Sequence, residues 1–278
     1  MATKPVIVGA DGSQESQRAA EWAAREAVLR GAPLRIVAVP VLPPRMTPNP
    51  ATPGTVAGLI ERSMSRALAA AAQQASALEP DLAIETQLLA GAPAEVLVAA
   101  GRDASMLVLG SRGAGGFSAM ILGSVSRYVA THAPVPVVVA REETTAEHRE
   151  IVVGVHDPAH AGAALGFAFE EAALRKARLL AVHAWSWSVP GHTEVPAEQN
   201  TRLESAVSTW REKFPDVGAR WEVVHAHPGR VLAGASARAD LVVLGRHGAG
   251  DPHGRGVGSV THAVLDHAHG PVVSVPGD

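Results

Sequence analysis

Two stretches of the chain carry residue types suited to holding an anion. The first, residues 110–124, reads Gly-Ser-Arg-Gly-Ala-Gly-Gly-Phe-Ser-Ala-Met-Ile-Leu-Gly-Ser. Glycines let a backbone turn freely and bring its amides close to a ligand. The segment leaves an apolar run and enters a helix pattern at Gly123-Ser124. The N–H groups and dipole at such a helix start favour negative charge. The Ser124 hydroxyl can cap the helix or donate to a phosphate oxygen, and Arg112 adds a planar, permanently charged donor. Together these suit a di- or triphosphate. The competing reading, a plain surface loop, weakens because the frame occurs twice. Gly110, Gly113, Gly123 and Ser124 recur 135 residues later as Gly245, Gly248, Gly258 and Ser259.

Neither loop fits two familiar phosphate motifs. A Walker A loop needs Lys beside its last glycine. The three lysines, Lys4, Lys176 and Lys213, all lie elsewhere. The second loop does not give Gly-x-Gly-x-x-Gly after a first strand, so the dinucleotide fingerprint fails as well.

The elements that must position these loops are also duplicated. Val6-Ile-Val-Gly-Ala-Asp11-Gly-Ser13 returns around Val152–Pro158 at an offset of 145, with Gly9 on Gly154 and Asp11 on His156. The later shift to 135 removes ten residues between the second and third strands, matching the Pro-rich stretch around Pro40 to Gly54. Within the first copy, apolar runs predict strands over Val6–Gly9, Leu34–Val39, Leu82–Leu88, Met106–Leu109 and Val135–Val139. Helices are expected from Ser13 to Arg30, from Val56 to Leu78, from Pro93, and from Gly123. Alternating strands and helices imply an α/β fold: two doubly wound, Rossmann-like domains with parallel sheets, binding ligand at the carboxyl ends of the strands. The expected division is residues 1–141, a charged linker at 142–149, and residues 150–278.

Composition narrows the function. There are no cysteines, which excludes disulfides, thiolate metal sites and cysteine nucleophiles. A net charge of -3 and 4% aromatic residues argue against nucleic-acid binding. No apolar run approaches the ~20 residues of a membrane span. The amino terminus enters a strand pattern at once, so no signal peptide and a cytoplasmic location are expected.

At this point the chain resembles a family. Gly110-x2-Gly113-x9-Gly123-Ser124, its repeat, the opening Val-Gly-x-Asp-Gly-Ser strand and the closing Pro-Val-Val segments are similar to ATP-binding universal stress proteins, in tandem. The resemblance implies five-stranded parallel sheets of order 3-2-1-4-5, domains related by a pseudo-twofold, pairing into a homodimer, and ATP bound with Mg2+. It places nucleotide contacts at Gly9, Ala10, Asp11, Val39, Gly110, Ser111, Arg112, Gly113, Ala114, Gly115, Gly116, Gly123, Ser124 and Val125. The residues themselves agree for Asp11, whose carboxylate can accept hydrogen bonds from ribose hydroxyls or the adenine amine; its alternative role is to cap the next helix. The second set is Gly154, Val155, His156, Ala184, Gly245, Arg246, His247, Gly248, Gly258, Ser259 and Val260. There His156 replaces the acid, and a slip of one residue would substitute Asp157. His247 and His253, if protonated, would add phosphate affinity at lower pH.

No catalytic residue is expected, because neither a nucleophile elbow nor a positioned base is visible. Hydrolysis should be slow at most. An adenylyl-transferring enzyme of the wider superfamily and a sensor of cyclic AMP remain alternatives. His262 and Asp266, at i,i+4 spacing, are too few for a zinc site and read as solvated. Trp22 and Phe167 occupy matching core positions; Trp185 and Trp187 are expected to pack under a loop rather than border the nucleotide.

Overall fold

The computed structural model describes residues 3–41, 55–113, 122–141, 147–186, 197–246 and 258–277. The chain divides into two compact units, Met1–Arg141 and Glu142–Asp278. The first contains β1 (Val6–Gly9), α1 (Gln14–Leu29), β2 (Leu34–Ala38), α2 (Val56–Leu78), β3 (Ile84–Leu88), α3 (Pro93–Ala100), β4 (Met106–Gly110), α4 (Ser124–His132) and β5 (Val137–Ala140). The second contains β6 (Glu150–Gly154), α5 (Gly162–Arg175), β7 (Arg178–Trp185), α6 (Ala197–Lys213), β8 (Ala219–His225), α7 (Pro228–Ala235), β9 (Leu241–Gly245), α8 (Ser259–His267) and β10 (Val272–Val275).

Strands pair in parallel in the order β3-β2-β1-β4-β5 in the first unit and β8-β7-β6-β9-β10 in the second. This is the expected doubly wound order, with its switch point between β1 and β4, and between β6 and β9. The register carries the repeat. Val6 lies opposite Leu34 and Met106, and Ile151 opposite Leu179 and Leu241. Ile84 pairs with Leu34, and Ala219 with Leu179, so the shortening falls between the second and third strands of the repeat.

Central strands are apolar on both faces because helices cover both. Val6, Ile7, Met106, Leu107, Ile151 and Leu241 are fully buried. The outer strands β3 and β8 carry polar residues instead, with ion pairs from Arg35 to Glu85 and from Arg220 to Glu150. Trp22 and Phe167 are both buried, as their matching positions require. So are Glu26 and Glu171, each paired one turn on with Arg30 and Arg175.

Two expected strands start late for local reasons. The Leu82 N–H is spent in a turn to the Glu79 carbonyl, so β3 begins at Ile84. Pro136 has no N–H to give a ladder, and β5 begins at Val137. Helix α1 starts at its Ser13 cap, and Gly31, at φ +57°, closes the following turn. Among the described residues, no helix is long and apolar enough to cross a membrane.

Candidate functional site

Each unit brings three segments together at the carboxyl end of its sheet. In the first they are the turn after β1, the end of β4, and the start of α4. The turn is held by Asp11. Its Oδ1 accepts from the Ser13 N–H (2.9 Å) and hydroxyl (2.6 Å). Ser13 Oγ in turn accepts from the Ser16 N–H, capping α1, and Ser16 is buried. Asp11 therefore orients the cap but is not the cap itself. Gly12 sits at φ +84°, a conformation that side chains rarely adopt.

The other carboxylate oxygen faces the glycine loop. A Cβ built on Gly113 would lie 2.6 Å from Asp11 Oδ2. Gly110 has a different reason to be glycine. Its Cβ would stand 2.8 Å from the Glu15 backbone, so its bareness allows α1 to rest on β4. Likewise Gly9 leaves room for Leu109, and Gly154 for Leu244 and Leu232.

Among the described residues, neither packing nor conformation requires glycine at Gly123. Its φ is -65°, and a Cβ there would meet nothing closer than 3.5 Å. Its N–H donates to the Ser111 carbonyl (2.8 Å), as Gly258 does to Arg246 (3.0 Å). Gly258 has the same ordinary φ, -58°. Neither Ser124 nor Ser259 caps its helix; the caps are Gly123 and Gly258, and both serines are exposed. The capping option for Ser124 thus gives way to a hydroxyl facing outward from the first turn.

The helix start is fastened from below by a residue that motif reading overlooked. Ser126 donates to the Gly110 carbonyl (2.7 Å), and Thr261 to Gly245 (3.1 Å). Ser126 and Thr261 stand at the same place in the two copies, and a shared hydroxyl there was the available signal. Arg112 pairs with Glu15 at 3.1 Å and stays half exposed. Ala10 and Val39 are buried beside the strand ends, and Val125 is half-buried. Ala114, Gly115, Gly116, His247, Gly248, His253 and Trp187 lie outside the described residues.

In the second unit the same strand ends and helix start enclose a cavity of about 470 Å³. Gly154, Val155, His156, Ala184, Gly245, Arg246, Gly258, Ser259 and Val260 all line it, so every described residue of the second set meets there. His156 is exposed, while Asp157 makes the turn that Asp11 makes: its Oδ1 accepts from the N–H two residues on, Ala159 (3.0 Å). Its Oδ2 lies 2.8 Å from His160 Nδ1. The hydrogen bond from His160, then that from Ala159, hold the Asp157 carboxyl below the usual carboxylate range.

Two further side chains set this site apart. Arg246 is 5% exposed, and burial pushes its guanidinium down to about 10. His183, buried on β7, stands where the first copy has Ala38. Its Nδ1 lies 2.8 Å from the Val155 carbonyl, which can only accept, so Nδ1 carries the proton. Trp185 does not line the cavity; its ring packs 4.6 Å from that of His225. Among the described residues no group of three or more His, Cys, Asp or Glu gathers for a metal.

Comparison with known proteins follows the same duplication. The model of the Universal stress protein family matches residues 2–141 and again 147–276. The chain is 35% identical over 283 residues to the universal stress protein Rv2005c of Mycobacterium tuberculosis, covering 96% of this chain and 95% of that one. It is 33% identical over 288 residues to a universal stress protein of Mycolicibacterium smegmatis, covering 97% and 96%. The crystal structure of a universal stress protein from Archaeoglobus fulgidus DSM 4304 shares the fold, with a TM-score of 0.75 at 20% identity over 100% of this chain and 98% of that one.

Proposed function

The chain belongs to the universal stress protein family, and from that premise we propose that each domain binds an adenine nucleotide, ATP with Mg2+, at the carboxyl end of its sheet. The observation that carries this reading is Gly123. Among the described residues nothing requires glycine there, since its φ is ordinary and a Cβ has room. A ligand lying against the backbone would require it. The same Gly-Ser start recurs at α8, where it opens on a cavity.

The first-turn N–H groups after Gly123 and after Gly258 have no acceptor within their own helices and are placed to receive phosphate oxygens. Asp11 and Asp157, each fixed by its own turn, are set to accept from ribose or adenine. Ala10 and Val39 in the first domain, with Val155 and Ala184 in the second, supply apolar surface for the base. Occupancy would regulate association or conformation in a stress response. The lysine of a Walker loop is missing from both glycine loops, which favours retention of the nucleotide over turnover.

The test is to purify the chain without added nucleotide, denature it, and identify the released ligand by chromatography and mass spectrometry. Adenine nucleotide at up to two per chain is expected. An empty chain that also fails to bind added Mg-ATP would overturn the reading.

A further inference from the structure

The second domain carries another cavity, at the opposite end of its sheet. An open pocket of about 600 Å³ lies where α5 and α6 end and β7 and β8 begin, a size that small-molecule sites have. Its wall includes Lys176, Arg178, Lys213, Phe214, Asp216 and Gly218. Two of the chain's three lysines therefore meet here. The first domain builds the same corner with the same backbone bonds. The Gly31 N–H donates to the Val28 carbonyl as Lys176 does to Ala173, and the Leu34 N–H to Ala83 as Leu179 does to Gly218. Yet at the places of Lys176, Arg178 and Lys213 it has Gly31, Pro33 and Leu78, and at those of Phe214 and Asp216 it has Glu79 and Asp81. The fold therefore requires none of the three cations. Nor does the helix dipole, since α2 ends with no basic residue in its last turn.

We propose that this pocket binds a small organic anion, a carboxylate or phosphate carried on an aromatic body. Phe214 supplies the apolar surface. It is half-buried, and its ring is backed by those of Phe169 at 5.8 Å and Trp210 at 6.3 Å between centroids, which fixes its position. The Lys213 ammonium lies over the Trp210 ring, 4.2 Å from its centroid, which leaves N–H donors turned away from that ring. The Arg178 stem passes Gly218, where an added Cβ would meet Arg178 Cγ at 3.9 Å. The Arg178 guanidinium is 3.8 Å from Glu150, a carboxylate that Arg220 holds more closely at 2.9 Å. Among the described residues the Lys176 ammonium makes no ion pair or hydrogen bond. Three cations on exposed, flexible stems thus stand against one acid, Asp216, and can converge on a single oxyanion. The pocket shares no residue with the cavity beside α8.

The test titrates the isotope-labelled full chain with phenyl phosphate and with benzoate, following backbone amide shifts by NMR. Saturable shifts are expected at Lys176, Val217 and Gly218, while the matching amides of Gly31, Leu82 and Ala83 stay still. The probe bound more tightly tells phosphate from carboxylate. Lys176→Gly and Lys213→Leu together install the residues of the first domain, and the left-handed φ of +50° at Lys176 suits glycine. The pair should weaken binding about tenfold, as loss of a charge-assisted hydrogen bond does. Inorganic phosphate, which needs no variant, should bind at least about tenfold more weakly than phenyl phosphate for want of the apolar body. The absence of saturable shifts at this corner with both probes would overturn the inference. So would an affinity unchanged in the double variant, or inorganic phosphate bound as tightly as phenyl phosphate. Each of these results would leave the nucleotide reading intact.

Discussion

The two domains leave their first strands by different routes. After β1 the chain turns through Asp11 and the left-handed Gly12, and α1 begins at once behind its Ser13 cap. After β6 it passes an exposed His156 and an extended Asp157 at φ -127°, and then Pro158 opens a single 3-10 turn ending at His160. Helix α5 starts only at Gly162, three residues later in the repeat frame than α1. Yet a carboxylate accepts the N–H two residues on in both domains. The difference teaches what the duplication holds fixed. Strand ends, the glycine-serine helix start, and the hydroxyl of Ser126 or Thr261 beneath it are kept, because they set backbone positions. The side chains around the candidate site have changed identity, and the carboxylate has moved one residue along the chain.

The strongest way to separate the sites is to damage one alone. Gly113→Val puts a side chain where Asp11 Oδ2 would be 2.6 Å from its Cβ. The carboxylate must move, and backbone approach to the ligand is blocked. Bound nucleotide is expected to fall from about two per chain to about one, with the second site unaffected. Two remaining per chain, counted by calorimetry, would place the first nucleotide elsewhere.

The next test concerns cost. Burial penalises the charged form of Arg246 in the folded state, at every pH below its lowered value of about 10. Arg246→Met removes that penalty together with the contacts the guanidinium makes, so the two offset and ligand-free stability should change by no more than about 1 kcal/mol. Its affinity for ATP should fall in the same variant. Thermal melts with and without ATP would read both effects at once. A large loss of ligand-free stability would assign Arg246 a structural role instead.

His183→Ala installs the residue of the first domain. It removes the bond to the Val155 carbonyl inside the core. The expected loss is about 1–3 kcal/mol, since a buried acceptor is left without its donor. The reciprocal Ala38→His, placed at a fully buried position, should cost more by overpacking.

Much of this arrangement was legible in the residues. The bounds of β1 and α2 are those expected from the residues, because continuous burial and helical spacing leave few alternatives. The order of the strands within each unit was what the family resemblance implied, and the repeat required both copies to share it. The glycine frame pointed to the candidate site but not to the reason for each glycine. Gly110 and Gly9 turn out to answer to Glu15 and Leu109, which lie far away in sequence. The pairing of Arg112 with Glu15 was hidden for the same reason, as was the burial of Arg246. Charge along the chain says nothing of which side chains a fold will bring face to face.

The smallest expected effect tests the slipped carboxylate itself. Asp157 has its pKa lowered first by the hydrogen bond from His160 and next by the Ala159 N–H. A folded pKa below the unfolded value, near 3.9, means the unfolded state binds the proton more readily. The stability it contributes is then fully present above about pH 4 to 5 and is lost as pH falls through the folded pKa. With its partner His160 exposed, the contribution should be modest, about 0.5 kcal/mol. Asp157→Asn should remove that part of the acid-limb slope in denaturant titrations between about pH 5 and pH 2, where a paired carboxylate titrates. An unchanged slope would mean that the carboxylate is held no more tightly folded than unfolded. The turn that makes Asp157 the counterpart of Asp11 would then be incidental, and His156 would be the residue to pursue in the second site.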